Sequence, residues 1–464
     1  MYSVLEIVNM FWVGKLGKEA IAGIVLSANF TWVLSNIMVL VSAGVFAMVA
    51  HHIGSGNKQQ ANFIASQGVL AALALGFTCS IITIVYAEPL LGFYNADPNV
   101  SRAAIKYFRI IMAGFPLGFI MIVVGQAISA SGNTRISMFI GVVTLITNIV
   151  LDPFLIFGWL FFPQLGLRGA AIATLIARFV GMLLGFYFLV SNKTHINIFT
   201  TRSNFIPDTK MIWQFLKIGI PAFIGDLTRP LTSILLFKIV AVFGTAAIAA
   251  FGVGFRALGI GFIFVGGIWT ATSVLVGQFL GKGNPEKSQE VTKKALILAL
   301  SIQLILTTAF LLMAEWIIMI FNTDPEVIRH GANYIRWISL GQIVSVFGGI
   351  YGAAFRGAGD TKPPMYNAIF VNWFIKIPLA VALSIPIVII EPTKAILRYI
   401  ESIGLISTSF ILLDSITKSL IPLGLNGVWA AITASMIVEG IIMSLWFYKG
   451  NWKNKVNIVK QGTC

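Results

Sequence analysis

The chain repeats itself at a fixed distance of 227 residues. The segment HHIGSGNKQQ at 51–60 matches QFLGKGNPEK at 278–287, which pairs Gly54 with Gly281 (281 − 54 = 227). Three further pairs of segments keep this distance: 17–22 with 244–249, 93–100 with 320–327, and 130–135 with 357–362. The matched positions include many polar residues of short loops, so a shared apolar composition does not explain them. The chain therefore consists of two copies of one structural unit.

The distance between the copies changes near the end of each unit. LGLRG at 165–169 matches LGLNG at 423–427, a separation of 258 (424 − 166 = 258), so the second copy has 31 extra residues (258 − 227 = 31). We place this insertion near 391–422 and interpret its amphipathic part as an interfacial helix. The expected division is an N-terminal lobe, 1–195, a linker, 196–210, and a C-terminal lobe, 211–464.

The composition makes each unit a bundle of membrane-spanning helices. Hydrophobic residues are 57% of the chain and charged residues only 11%, and apolar runs long enough to cross a bilayer recur throughout. Helices satisfy their own backbone hydrogen bonds in lipid, so we predict an all-α polytopic membrane protein. The net charge of +15 does not indicate nucleic-acid binding here, because the Lys and Arg fall mostly in short loops. The twelve predicted spans are 1–13, 27–50, 65–86, 110–130, 136–161, 168–190, 211–241, 254–278, 293–316, 337–355, 364–390 and 424–447.

Loop charges predict the orientation in the cell membrane. The even-numbered connections and the tail are richer in Lys and Arg than the odd ones, which favours a cytoplasmic C-terminus. The first span is an exception in length, because about 13 apolar residues do not cross a bilayer. The repeat would put the counterpart of Pro221 before Met1, so we expect a missing upstream segment.

Two copies of six spans insert in the same orientation and are related by a pseudo-twofold axis along the membrane normal. That architecture places a substrate cavity between two six-helix bundles and indicates a secondary transporter. The Gly-rich turns GSGNK and GKGNP lack the P-loop pattern of a nucleotide-hydrolysing motor. An integral membrane transferase would need clustered metal-binding acids, such as paired Asp-x-x-x-Asp runs, and the sequence has none. The two cysteines suggest neither a metal site nor a disulfide framework. We therefore expect a protein that is not an enzyme.

One acid stands inside an apolar span. The run at 136–160 contains Asn148 and Asp152, four residues apart and so on one helix face, with Pro153 directly after the acid. A carboxylate near mid-bilayer costs about 2.5–3.5 kcal/mol on insertion scales, so such residues usually serve a function. The alternative is that Asp152 lies near the end of the span and reaches interfacial water.

Several motifs together resemble the multidrug and toxic compound extrusion (MATE) family. They are VGKLGKEAIAG at 13–23, SGNT at 131–134, NIVLDPFLIFG at 148–158, LGLRGAAIAT at 165–174, AVFGTAAIAA at 241–250, GKGN at 281–284, RGAGDT at 356–361 and LGLNGVWAA at 423–431. The resemblance implies twelve helices in two lobes and export of amphipathic organic cations, drugs or metabolites. It implies that entering sodium or protons drive this export by alternating access, with no other cofactor. We expect a monomer among membrane lipids.

The resemblance also implies a coupling site in the N-terminal lobe. Asp152 and Asn148 match the fifth-helix acid and asparagine of the family, and Thr174 matches a hydroxyl of the sixth helix. The position of the family's first-helix acid corresponds to Asn9, which is an amide here. Glu6, three residues earlier, is the acid that would supply the missing charge. Glu6 is alternatively a hydrated terminal residue. We expect no bound metal other than a sodium ion at Asp152.

Charged residues in the second half keep another substrate class open. Asp226 and Arg229 are three residues apart in the seventh span and are expected to form a structural ion pair. Lys376 lacks an obvious local partner and either snorkels or faces the cavity; Arg178 and Glu439 raise the same question. An exporter or flippase of a lipid-linked oligosaccharide or another amphiphilic anion would use such cations, and it is the alternative function.

Overall fold

A computed structural model describes residues 12–92, 97–160, 162–191, 193–200, 202–384, 423–450 and 452–454. Its regular elements are helices throughout these ranges. Those of the first half are α1 Lys18–Ser35, α2 Val39–Gly54, α3 Lys58–Val85, α4 Ala87–Gly92, α5 Pro98–Ala113, α6 Phe115–Ala130, α7 Thr134–Phe157 and α8 Leu167–Val190. Those of the second half are α9 Thr209–Ala241, α10 Thr245–Gly281, α11 Pro285–Met319, α12 Pro325–Gly357, α13 Lys362–Ile369, α14 Ile377–Ser384 and α15 Leu425–Lys449.

The helices confirm the polytopic membrane fold. Within the described ranges, nine helices are long and apolar enough to cross a membrane, or ten if α5 and α6, bent by 45°, form one span. Eleven of the twelve predicted spans fall on described helices, counting α9, whose 33 residues include several charges, although the end of the span at 364–390 lies outside the described residues. The first predicted span, 1–13, lies almost wholly outside the described residues, as does the insertion near 391–422.

The duplication is visible in the backbone. Adding 227 to the bounds of α1 and α2, which a short 3₁₀ turn joins, gives the start and end of α10. The turns after these helices agree in detail, since Gly56 (φ 80°) and Gly283 (φ 72°) adopt left-handed backbone that favours glycine. Asn57 and Asn284 then cap α3 and α11 through the same side-chain bond. The recurring loop residues are thus the ones that end one helix and start the next.

We call α1–α8 the N-terminal lobe and α9–α15 the C-terminal lobe. The main contacts of α7 and α8, of α3 and α6, and of α12 with α10, α11 and α15 lie within one lobe. The lobes meet mainly where α2 packs against α9 and α10. α2 ends in the short loop at 55–57 and α10 ends in the short loop at 282–284, at the same end of the molecule. We call this end of the molecule the closed end.

Two glycines bring the lobes into backbone contact at the closed end. A Cβ atom on Gly54 would lie 2.0 Å from the carbonyl oxygen of Gln278, and one on Gly281 would lie 2.0 Å from that of His51. These pairs are exchanged by the 227-residue repeat, so the contact is reciprocal. Residues without side chains allow such an approach, as in other closely packed membrane helices.

The side chains at the same positions connect the lobes a second time. The Nε2 atom of His51 is 3.1 Å from the carbonyl oxygen of Gly357, and it donates in the tautomer that protonates Nε2. The Nε2 atom of Gln278 donates to the carbonyl oxygen of Ala130 at 2.9 Å. Ala130 and Gly357 are again 227 residues apart (357 − 130 = 227). Each lobe therefore contributes one side chain that bonds to the end of a helix in the other lobe.

Candidate functional site

The structure brings together three of the predicted coupling residues. Asn148 and Asp152 lie one turn apart on α7 and are 1% and 0% exposed. Thr174 on α8 is 5% exposed. Its Oγ1 accepts a hydrogen bond from Asn148 Nδ2 at 3.3 Å and donates one to the carbonyl oxygen of Ala170 at 3.0 Å. The amide of Asn148 is thus oriented with its nitrogen towards α8.

Local sequence explains how α7 and α8 hold this site. Pro153, inside α7, has no N–H for the carbonyl oxygen of Ile149, one turn earlier, so that oxygen is released from the helix pattern. The helix ends at Gly158, which is left-handed at φ 72°. The start of α8 then packs closely against the end of α7, because a Cβ atom on Gly169 would lie 2.2 Å from the carbonyl oxygen of Leu155.

The surroundings of Asp152 are those of a buried carboxyl group. Its side chain has no exposed surface, so it does not reach bulk water at the end of the span in this conformation. One turn towards the helix end, Ile156 packs with Val13 and Ala170 in a small apolar cluster. Glu6 and Asn9, the other two predicted members of the coupling site, lie outside the described residues.

The oxygens of this site suit a small hard cation. A carboxylate, an amide and a hydroxyl are the ligand types that such ions prefer, and the carboxyl group is alternatively a site for one proton. Occupation by either cation would neutralise a charge that is otherwise costly at this depth. The described residues contain no group of three or more His, Cys, Asp and Glu side chains arranged to hold a metal ion.

The expected ion pair between Asp226 and Arg229 is wrong. Asp226 Oδ1 instead accepts from Arg356 Nη2 at 2.7 Å, and Arg229 Nη2 donates to Glu439 Oε1 at 2.9 Å. Both acids and both guanidinium groups are thus paired across helices, α9 with α12 and α9 with α15. The spacing of three residues allows a pair within one helix, but carboxylates and guanidinium groups of the neighbouring helices lie closer.

Contrary to the expectation from the sequence, Lys376 has a local hydrogen-bond partner. Its Nζ atom donates to Oδ1 of Asn372, one turn earlier, and Asn372 Nδ2 donates to the carbonyl oxygen of Ala368 at 2.7 Å. Both residues belong to a π-helical segment, Phe370–Lys376, between α13 and α14. Such segments are rare and frequently occur at functional sites.

Asn372 was not among the residues expected at a functional site, although the sequence contains a signal for it. NIVLD at 148–152 and NWFIK at 372–376 both place an asparagine four residues before a charge, in the fifth and eleventh spans, although the two segments are three residues out of the repeat register (372 − 148 = 224). His51 and Gln278, which join the lobes at the closed end, occupy equivalent positions in the repeat, because they begin the matched segments 51–60 and 278–287. Arg356, by contrast, had no sequence signal as the partner of Asp226.

Comparison with known proteins identifies the family. The MatE family model matches residues 1–154 and 221–382. A probable multidrug resistance protein NorM of Thermotoga maritima is 27% identical over 456 residues, which are 97% of this chain and 89% of that protein. A protein of Shewanella oneidensis named as an FAD transporter is 30% identical over 332 residues, 71% of this chain and 73% of that protein.

Solved structures agree over the whole chain. An outward-facing multidrug resistance MATE family transporter of the MOP superfamily superposes with a TM-score of 0.83 at 22% identity, covering 99% of this chain and 93% of that one. A MATE crystal structure in the straight conformation superposes with a TM-score of 0.81 at 23% identity and the same coverage. The chain therefore belongs to the MATE family of multidrug efflux transporters, which are membrane transport proteins and not enzymes.

Proposed function

We propose that this protein is a secondary antiporter that exports small amphipathic molecules in exchange for sodium ions or protons, and that Asp152 binds the coupling cation. The observation that carries the proposal is the complete burial of the Asp152 side chain beside Asn148 and Thr174. A buried carboxylate gains most from a bound cation, so occupation changes the relative free energy of the lobe conformations. Organic cations are the expected substrates from the resemblance.

The transport cycle follows from the contact between the lobes. We propose that the closed end faces the cytoplasm, because the short loops there belong to the even-numbered connections, which are rich in Lys and Arg. The described conformation is then closed to the cytoplasm. Binding of the coupling cation and of substrate would favour different lobe arrangements, and alternation between them would move the substrate outwards.

Transport in proteoliposomes tests the proposal directly. The purified protein would be reconstituted, and sodium or proton gradients would be imposed separately while the efflux of ethidium is followed by fluorescence. We expect one of the two gradients to accelerate efflux and its collapse by an ionophore to abolish the acceleration. Efflux that is insensitive to both gradients would contradict secondary antiport.

Substitution of Thr174 tests the composition of the cation site. Thr174→Val keeps the shape of the side chain and removes the hydroxyl oxygen that accepts from Asn148, which leaves a buried amide donor unsatisfied. We expect the concentration of coupling cation needed for half-maximal efflux to rise by about tenfold, the effect of roughly 1.4 kcal/mol. Thr174→Ser retains the hydroxyl and is the matched control. Equal behaviour of the two variants would argue against a role for this oxygen.

A second candidate is export of an amphiphilic anion. The relative from Shewanella oneidensis named as an FAD transporter raises it, and so do the cations of the C-terminal lobe, Arg229, Arg356 and Lys376. The same gradients with an anionic dye in place of ethidium distinguish the two candidates.

A further inference from the structure

The charged residues of the C-terminal lobe lie on a surface that faces the N-terminal lobe. The first half of α9 packs closely on α2. A Cβ atom on Gly44 of α2 would lie 2.5 Å from the Cα atom of Phe215, and one on Gly219 of α9 would lie 1.9 Å from the carbonyl oxygen of Leu40. Asp226 lies seven residues after Gly219 and therefore on the same helix face. Arg229 follows one turn later on the adjoining face.

These side chains are accessible although they lie in a membrane-spanning bundle. The side chain of Arg229 is 57% exposed and that of Arg356 is 51% exposed. Charged side chains inside membrane spans almost always face the bundle interior or a water-filled cavity. Nearer its start, at Gly219, α9 packs the same face against the N-terminal lobe, so Asp226 and Arg229 lie where the two lobes diverge beyond that contact.

The charges around Glu439 do not balance. Glu439 on α15 accepts a hydrogen bond from Arg229. Lys376 belongs to the same group, because Asn372 Oδ1 accepts from both Lys376 and Thr232, and Thr232 lies three residues after Arg229 on α9. With the neighbouring pair of Asp226 and Arg356, three cations face two carboxylates, which leaves a formal charge of +1.

The group also retains hydrogen-bond donors. A guanidinium group has five N–H donors and an ammonium group has three. Arg229 uses Nη2 for Glu439, and Lys376 donates to an amide oxygen that Asn372 holds in place through its own bond to Ala368. Clustered donors with surplus positive charge are complementary to a carboxylate or a phosphate.

The two lobes thus present opposite charges in corresponding spans. In the N-terminal lobe an asparagine precedes a carboxylate, Asp152, and in the C-terminal lobe an asparagine precedes an ammonium group, Lys376. We propose that Lys376, with Asn372 and Arg229, forms an anion subsite in the cavity, which binds an acidic group of the exported molecule. The substrates are then amphipathic acids or zwitterions that carry a carboxylate or phosphate. This inference rests on the proposed export function, and it favours the second candidate substrate class, amphiphilic anions, over organic cations.

Two dyes with the same ring system test the subsite. Fluorescein is an anion and rhodamine 123 is a cation, and both contain a xanthene ring, so a difference between them reports charge. Binding to the purified full-length protein would be measured by fluorescence anisotropy, and transport would be measured in proteoliposomes. We expect the wild-type protein to bind and transport fluorescein, and Lys376→Met to weaken fluorescein binding about tenfold, the loss of one charge-assisted hydrogen bond. Rhodamine 123 binding should be unchanged or stronger.

Two variants control for folding and for charge in general. Lys376→Arg keeps the cation and should retain fluorescein binding within about threefold, since Arg and Lys differ in geometry. Lys238→Met removes a cation from the same lobe, nine residues after Arg229 and so on the opposite face of α9. It should leave both dyes unaffected.

The possible outcomes separate this inference from the proposed function. No fluorescein binding by the wild-type protein, or an equal loss of both dyes in Lys376→Met while Lys376→Arg also fails, overturns the anion subsite. Loss of gradient dependence concerns only the antiport proposal, because equilibrium binding of the dyes needs no gradient. Preserved fluorescein selectivity without gradient-driven transport would therefore support the subsite and contradict the antiporter.

Discussion

Replacing Asp152 by asparagine should abolish gradient-driven efflux while the protein continues to fold and insert. The side chain is wholly buried, and asparagine has nearly the same volume, so the packing of α7 against α8 is preserved. The substitution removes the charge that would bind a cation, and with it the differential affinity that couples the cation to the lobe conformations. A neutral amide at this depth also lowers the cost of burial, so the folded state should be at least as stable.

The measurement is efflux from proteoliposomes with and without an imposed gradient. We expect the gradient to accelerate efflux in the wild-type protein and to have no effect in Asp152→Asn. Asp226→Asn is a useful comparison, because Asp226 is also an acid of a membrane span but is paired with Arg356. It should retain gradient dependence. Normal gradient-driven efflux by Asp152→Asn would rule out its role in coupling.

Replacing Gly281 by alanine should prevent the closed end from closing. The new Cβ atom would lie 2.0 Å from the carbonyl oxygen of His51, and a backbone oxygen cannot move aside as the end of a side chain can. The contact joins the lobes and is not part of the packing inside either lobe, so each lobe should still fold. The protein should shift to the conformation in which this end is open, and transport should fall steeply.

A matched control is available on the same helix. Gly266 is also part of α10, and a Cβ atom there would meet nothing within 4 Å. Within a helix, glycine to alanine is normally stabilising by about 0.5–1 kcal/mol. Gly266→Ala should therefore be active and at least as stable as the wild-type protein, and the difference between the two variants isolates the lobe contact.

The conformational shift can be read with a thiol reagent. Ser131, 2% exposed, lies beside Gly132, whose Cβ position is 3.4 Å from Gln278 Nε2. Ser131→Cys, in a chain in which Cys79 and Cys464 are replaced by serine, would report access from the closed end. We expect a membrane-impermeant maleimide to react faster when Gly281→Ala is added and at the original rate when Gly266→Ala is added. Equal rates in all three proteins would contradict the prediction.

Much of the fold could be predicted because the duplicated loops are specified locally. A glycine with left-handed backbone or an asparagine that caps a helix depends on a few neighbouring residues, so Gly56 and Asn57 recur as Gly283 and Asn284. The grouping of Asn148, Asp152 and Thr174 was also predictable, from the residues that match the family motifs, although its role in coupling stays a prediction. The boundaries of the two lobes stay a prediction too.

The pairing of charges in the C-terminal lobe could not be predicted in the same way. Asp226 and Arg229 have the spacing of a pair on one helix, but which partner each one takes depends on how α9 packs against α12 and α15. That packing brings together residues 130 and 210 positions apart in the chain. Spacing within a single span contains no information about it.

The reciprocal contact at the closed end restricts how the lobes can move. Gly54 sits against the backbone of α10 and Gly281 against that of α2, so each helix has a recess that the other fills. A vertical sliding of one lobe past the other, as in an elevator, would force both carbonyl groups against neighbouring side chains at once. A rotation that separates the lobes withdraws both glycines together and breaks the bonds of His51 and Gln278 in the same step. The duplication thus favours rocking over sliding, and we expect the contacts on both sides of the repeat to be lost together when this end opens.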